Sequence, residues 1–164
     1  MPRFNAAIAV AFLLALTACG PKQDGLDAEI SRQEQVDEAA FKALGEKTMK
    51  DSAAFLEKMR AEPGVQATAS GLLYKAEVRG PDDMPSPKMG DDVLVHYDGT
   101  FPDGKTFDSS YKRGEPAQFQ LGQVIEGWNE GLQHMRPGDT FMLYIPGDLA
   151  YGEYGSPPRI PPNQ

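Results

Sequence analysis

Residues 92–110 read DVLVHYDGTFPDGKTFDSS, and their pattern decides how the rest of the chain is read. Val93, Val95 and Tyr97 alternate with other residues, which predicts a strand from Asp92 to Phe101 carrying these three on one face and His96 on the other. Asp103-Gly104 is a tight-turn signal that sends the chain back into Thr106-Phe107-Asp108 as an antiparallel partner.

Outward from this hairpin the pattern stays strand-like. Leu72 to Val78 alternates approximately, and Gly80 to Gly90 is a loop with three prolines. Ala117 to Leu121 is a further short strand. Ile125, Trp128, Leu132 and Met135 recur at three and four residues, the spacing of a short helix with one apolar face. Arg136-Pro137-Gly138-Asp139 stops it with turn residues. Phe141, Leu143 and Ile145 alternate as the last long strand, and a Gly- and Pro-rich loop runs from Pro146 to Gln164. The expected fold class is α+β, a small antiparallel sheet wrapped on one short helix.

Upstream the composition changes. Between Ala28 and Ala61 there is no Pro and one Gly, Gly45, among many Ala, Glu, Lys and Gln. These are good helix formers, so residues 28–62 are expected as an amphipathic helix or helix pair, ended by Glu62-Pro63-Gly64. Its apolar positions Phe41, Leu44, Thr48, Phe55, Leu56 and Met59 need cover, either from the following domain or from a second copy of the chain. Residues 1–18 have a positive start at Arg3 and an apolar core from Ala6 to Leu16, the form of an export signal. Leu16-Thr17-Ala18-Cys19 resembles a bacterial lipobox, which implies lipidation of Cys19 and a polar tether over residues 19–27. By resemblance to lipoprotein sorting, the absence of Asp after the cysteine implies a cell-envelope location and, in a Gram-negative organism, the outer membrane facing the periplasm.

The 24 Asp and Glu outnumber the 16 Lys and Arg, for a net charge of −8. Non-specific attraction to a phosphate backbone is therefore not expected, and nucleic acid is not a partner. Two histidines, His96 and His134, and the lack of phosphate-loop, zinc-hydrolase or nucleophile-elbow motifs leave no metal or covalent chemistry to assign. Tyr97, Phe107, Val124, Ile125, Trp128, Tyr151 and Ile160 remain. They suit either an aromatic core or an aromatic-walled pocket that would take a proline ring.

Val95-His96-Tyr97-Asp98-Gly99, Phe107-Asp108-Ser109-Ser110, Gln123-Val124-Ile125-Glu126-Gly127-Trp128 and Ala150-Tyr151-Gly152 resemble the FKBP-type peptidyl-prolyl cis-trans isomerases in order and spacing. The resemblance spans residues 71–164, and the upstream helix resembles the N-terminal extension of bacterial envelope members. It implies that Trp128 floors a proline pocket walled by Tyr97, Phe107, Phe119, Val124, Ile125 and Ile160. It also implies that the Ile125 N–H and the Tyr151 hydroxyl hold the bound peptide, and that Tyr97 and Arg113 hold Asp108 at the rim. Ala117, Ser156 and Arg159 differ from residues frequent in the family.

The implied activity is rotation of X-Pro bonds in exported, proline-containing polypeptides, without a cofactor; the alternative is a non-catalytic peptide-binding chaperone using the same pocket. Macrolide inhibitors, a membrane anchor at Cys19 and a homodimer through the helix are the other expected partners. Family members continue past Pro161-Pro162-Asn163 into one more apolar strand, so the expectation is a fragment lacking its final strand.

Overall fold

A computed structural model of the chain describes residues 23–164. The export signal, Cys19 and the start of the tether lie outside the described residues. The first element is one 38-residue helix, α1 (Gln23–Arg60). It begins inside the segment read as tether and does not break into a pair. Lys58 and Arg60 in its last turn complement the negative end of the helix dipole, and Gly64 leaves it at a φ of 84°. The chain divides into two compact units within this helix, between Asp37 and Glu38. In the second unit the apolar stripe has two fates. Thr48 is buried, and Phe55, Leu56 and Met59 are half-buried, Phe55 meeting Tyr144 edge-on at 6.0 Å. Phe41 and Leu44 remain 41% and 46% exposed.

The strands are β1 (Gln66–Ala67), β2 (Leu73–Val78), β3 (Asp92–Val95), β4 (Asp98–Thr100), β5 (Thr106–Ser109), β6 (Ala117–Gln120) and β7 (Thr140–Tyr144). A four-residue helix, α2 (Ser110–Arg113), follows β5, and α3 (Glu126–Gln133) follows β6. All pairings are antiparallel. Instead of one sheet, the described residues form three, in the orders β1-β2-β7, β3-β6 and β4-β5.

The strand expected from Asp92 to Phe101 is interrupted at His96-Tyr97. The cause is local: the Tyr97 N–H donates to Ser110 Oγ at 2.8 Å, and its carbonyl accepts the Ser110 N–H at 2.9 Å. With both backbone groups taken by Ser110, Tyr97 has none left for a strand ladder. The turn at Asp103-Gly104 is also wider than two residues. The Phe101 N–H donates to the Lys105 carbonyl at 2.9 Å, and Pro102-Asp103-Gly104 makes a three-residue connection with Gly104 at a φ of 84°.

The buried apolar core consists of Leu72, Leu73, Leu121, Leu132 and Ile160. Helix α3 approaches β7 and its extension closely because it presents Gly131 and Gly127 to Leu143 and Ile145. A Cβ at these glycines would lie 2.7 Å and 2.4 Å from those side chains. At the start of β7 the Asp139 side chain is fully shielded and accepts the Gly80 N–H at 2.6 Å, the Arg136 N–H at 3.0 Å and Arg79 Nη1 at 3.1 Å. That carboxylate ties the end of the β2 segment to the turn before β7. Among the described residues no helix is long and apolar enough to cross a membrane.

Candidate active site

Three aromatic rings meet, Trp128 from α3, Phe119 from β6 and Tyr97 from the break between β3 and β4, with Trp128 edge to face against the other two. The Trp128 ring, on α3, lies 5.0 Å from Tyr97 at 89° and 5.2 Å from Phe119 at 84°, and Tyr97 lies 6.0 Å from Phe119. Edge-to-face pairs at this spacing align the positive edge of one ring with the negative face of another, and each contributes about 0.5–1.5 kcal/mol beyond area burial. Phe119 reaches the group because β6 pairs with β3 in the register Val93↔Phe119.

Trp128 is delivered by the way α3 begins. Ile125 is its N-cap residue and offers no side-chain cap. The approach is held instead by Asn129, a buried helix residue whose Nδ2 donates to the Val124 carbonyl at 3.1 Å while its Oδ1 accepts the Gly122 N–H at 2.8 Å. The Trp128 and Asn129 N–H groups donate to the Ile125 carbonyl at 2.9 and 3.0 Å, while the N–H groups before them have no carbonyl within the helix to reach, so the Ile125 end of α3 presents donors beside the three rings.

Tyr97, Asp108 and Arg113 form a closed triangle. The Tyr97 hydroxyl donates to Asp108 Oδ2, Arg113 Nη1 donates to Asp108 Oδ1, and Arg113 Nη2 donates to the Tyr97 oxygen at 2.9 Å. The Ser109 N–H adds a third donor to Asp108 at 2.8 Å. The Tyr97 hydrogen bond, ahead of Arg113 and the Ser109 N–H, holds the Asp108 carboxyl below its usual range. Burial, and then the Asp108 hydrogen bond, push the Tyr97 hydroxyl up. The triangle thus stays carboxylate, phenol and guanidinium across neutral pH.

Helix α2 makes this triangle possible. Ser109 caps it, accepting the Lys112 N–H at 3.1 Å and donating to Asp98, and Gly114 ends it at a φ of 80°. One helical turn therefore returns Arg113 to Asp108, five residues back. Ser110, with no exposed surface, sits between the Tyr97 backbone and the His96 ring, whose Nδ1 lies 3.1 Å from its Oγ.

Phe107 packs against Gly99, where a Cβ would come within 2.6 Å of the far end of the ring. Ile160 is buried, tied to Ser156 by reciprocal backbone hydrogen bonds of 2.9 and 3.0 Å, while Tyr151 is 40% exposed. A cavity of about 1630 Å³ is lined by Tyr97, Phe107, Asp108, Phe119, Val124, Ile125, Trp128, Tyr151 and Ile160. The structure therefore gathers all the pocket residues singled out from the sequence except Arg113, which stands behind Asp108. The cavity is larger than the ~300–1,000 Å³ of an ordinary ligand pocket and extends past the rings to Leu132, Leu143 and Ile145.

Sequence reasoning missed the supporting residues Ser110 and Asn129. Asn129 had a readable signal, since an Asn inside an apolar helix pattern is a poor helix former that favours side-chain bonds to nearby backbone. Ser110 had none beyond its place in the quoted motif.

Residues 84–164 match the family model described as FKBP-type peptidyl-prolyl cis-trans isomerase, and residues 8–76 match the domain amino terminal to it. The peptidyl-prolyl cis-trans isomerase Mip of Coxiella burnetii is 48% identical over 113 residues, 69% of this chain and 48% of that protein. The crystal structure of FkpA from Escherichia coli superposes with a TM-score of 0.81 at 39% identity, covering 85% of this chain and 64% of that one. A peptidyl-prolyl cis-trans isomerase structure from Pseudomonas syringae pv. tomato gives 0.66 at 38% identity, over 72% of this chain and 85% of that one. The chain spans about half the length of the curated relatives it matches.

Proposed function

Since this chain belongs to the FKBP-type peptidyl-prolyl cis-trans isomerase family, we propose that it catalyses rotation about X-Pro bonds in unfolded or exported polypeptides. The observation that carries the reading is the Tyr97, Phe119 and Trp128 cluster, with the Tyr97 hydroxyl fastened to Asp108 and Arg113. Twisting the amide out of plane costs ~18–20 kcal/mol because resonance is lost. No bond is made or broken, so no nucleophile is needed. The twisted amide is less conjugated and less polar than the planar one, so a dry aromatic surface favours it over the solvated ground state.

In this reading Trp128 supplies the floor, and Phe107, Phe119, Val124 and Ile160 supply the walls. The Ile125 N–H and the Tyr151 hydroxyl hold the peptide carbonyls, and Asp108 forms the rim. A ~10⁴-fold acceleration asks for about 5.5 kcal/mol, within the reach of packing, backbone capture and desolvation together. A protease-coupled assay on a Pro-containing peptide tests it. Trp128→Ala is expected to lower kcat/KM by about tenfold or more and Tyr151→Phe by less. No turnover in the unsubstituted chain, with suppression of aggregation retained, overturns the enzyme reading in favour of a peptide-binding chaperone.

The finer placement rests on the sequence. Residues 1–18 are removed as an export signal, Cys19 is lipidated, and the domain works on the periplasmic side of the outer membrane. Palmitate label that persists after Cys19→Ser excludes this anchor. The exposed apolar residues of α1 pair with those of a second copy, and macrolides compete for the proline pocket.

A further inference from the structure

Gly45 is the only glycine between Ala28 and Ala61. In the middle of a helix Gly is a poorer helix former than Ala. It is nonetheless buried, and the reason lies at the other end of the chain. A Cβ at Gly45 would stand 3.1 Å from Asn163 Nδ2 and 3.6 Å from the Pro162 ring. The Pro162-Asn163 turn is therefore seated on α1 where α1 has no side chain.

Asn163 is joined on three sides. Its Nδ2 donates to the Gly45 carbonyl at 3.2 Å, its own carbonyl accepts Ser52 Oγ at 3.4 Å, and its N–H donates to the Gly152 carbonyl at 2.8 Å. Gly45 and Ser52 are seven residues apart, so two turns of one helix face are engaged. Gly152 follows Tyr151 directly. Asn163 itself has a φ of 58°, a left-handed conformation that Asn tolerates better than most residues. Beside this contact lies a cavity of about 250 Å³, lined by Met49, Ser52, Leu56, Pro146, Gly147 and Asn163, so the seam is not closely packed there. The register of the loop on the helix is thus carried by Asn163 and Pro162.

We propose that Gly45 and Asn163 are positioning residues: the second half of α1, through this latch, sets the placement of the loop that brings Tyr151 and Ile160 to the pocket. The inference rests on the isomerase reading for its consequence and on geometry alone for the latch. It makes α1 part of the active-site framework.

The test uses the full chain with Gly45→Leu and Asn163→Asp. Leu is a better helix former than Gly, so Gly45→Leu does not act by melting α1. Asp keeps the size of Asn but turns an acceptor toward the Gly45 carbonyl. Amide hydrogen exchange is expected to quicken about tenfold or more at Ser156, Ile160 and Asn163 in both variants, with β2 and β7 amides unchanged. KM for a Pro-peptide is expected to rise about fivefold or more with kcat within about twofold. Far-UV circular dichroism should hold its helical signal.

Parent-like exchange at those three amides in either variant overturns the latch. So does faster exchange spread evenly over β2 and β7, which marks general destabilisation. An absence of turnover in the parent chain overturns the isomerase reading alone, and the exchange result still decides the latch.

Discussion

At the scale of single residues, the decisive arrangement is the Tyr97, Asp108 and Arg113 triangle, whose value is positional more than energetic. The Arg113 and Asp108 side chains are 42% and 35% exposed, and an ion pair so open to water contributes about 0–1 kcal/mol. Asp108→Asn is therefore expected to move the thermal midpoint by no more than a few degrees. The Tyr97 hydroxyl would trade a charged acceptor for a neutral one while keeping its bond from Arg113, and kcat/KM for a Pro-peptide should drop by about tenfold. A variant that loses stability and activity in proportion would contradict this division. The pH dependence follows from the directions of the shifts. The Asp108 carboxyl is depressed, chiefly by Tyr97, so its contribution to stability is present above the ordinary Asp value of ~3.9 and is lost as pH falls through its lower, folded-state value. The Tyr97 hydroxyl is raised, chiefly by burial, so its contribution holds below the ordinary Tyr value of ~10 and is lost only as pH rises through a still higher one. Activity should be flat from about pH 5 to about pH 9, and a step within that range in the kcat/KM profile would place a titrating group in the reaction. The triangle's members were legible because their residue types and spacing carried a family resemblance. Ser110, which fixes the Tyr97 backbone, was not, because a serine after a strand is common to many turns.

At the scale of elements, the strand pattern located the segments but not where they break. Val93, Val95 and Tyr97 alternate as one strand would, and the alternation alone could not reveal that Ser110, thirteen residues on, takes both backbone groups of Tyr97. Helix α2 escaped for a related reason. It is one turn long, too short for periodicity, and is made by the Ser109 cap and Gly114 exit. The segment from Gln23 to Asp27 reads as polar tether because it carries Gly25, yet it continues α1. Strand β7 was readable, but its attachment was not. Asp139 looked like one member of a turn, whereas its shielded carboxylate takes three donors from two segments. Burial would push that carboxyl up, and the Gly80, Arg136 and Arg79 donors outweigh it, leaving the group below its usual range. Asp139→Ala would strand the Gly80 and Arg136 N–H groups away from water, each at a cost of about 1–3 kcal/mol. A fall of roughly 5–15 °C in the thermal midpoint is expected. Asp139→Ala with an unchanged midpoint would mean that water replaces the carboxylate at no cost. No side chain can stand in for Gly80, since a Cβ there would meet the Pro137 carbonyl at 2.2 Å.

At the scale of the molecule, α1 carries more apolar surface than the described residues cover. The sequence left its stripe to be covered by the following domain or by a second copy, and in the second unit the covering stops short of Phe41 and Leu44. Leu26 and Ile30, in the first unit, are 59% and 48% exposed as well. Fully burying an exposed side chain of this kind is worth about 1.5–3 kcal/mol; these are already about half covered, so four of them in each of two copies supply a gain of the same order as the rigid-body cost of association. Val36 and Met49, each 56% exposed, extend the same uncovered apolar surface of α1, and the proposed homodimer rests on these positions. Deleting residues 27–61 would be a poor test, because it also removes Thr48, Phe55 and Leu56 from the body of the second unit. Ile30→Glu combined with Leu44→Glu leaves those contacts in place and sets carboxylates where apolar contact is required. Light scattering is expected to give a mass twice that of one chain for the parent and that of a single chain for the double variant, with circular dichroism and Trp128 fluorescence alike in both. A parent mass of a single chain would remove the dimer from the proposal, and a doubled mass in both parent and variant would take these residues out of its interface.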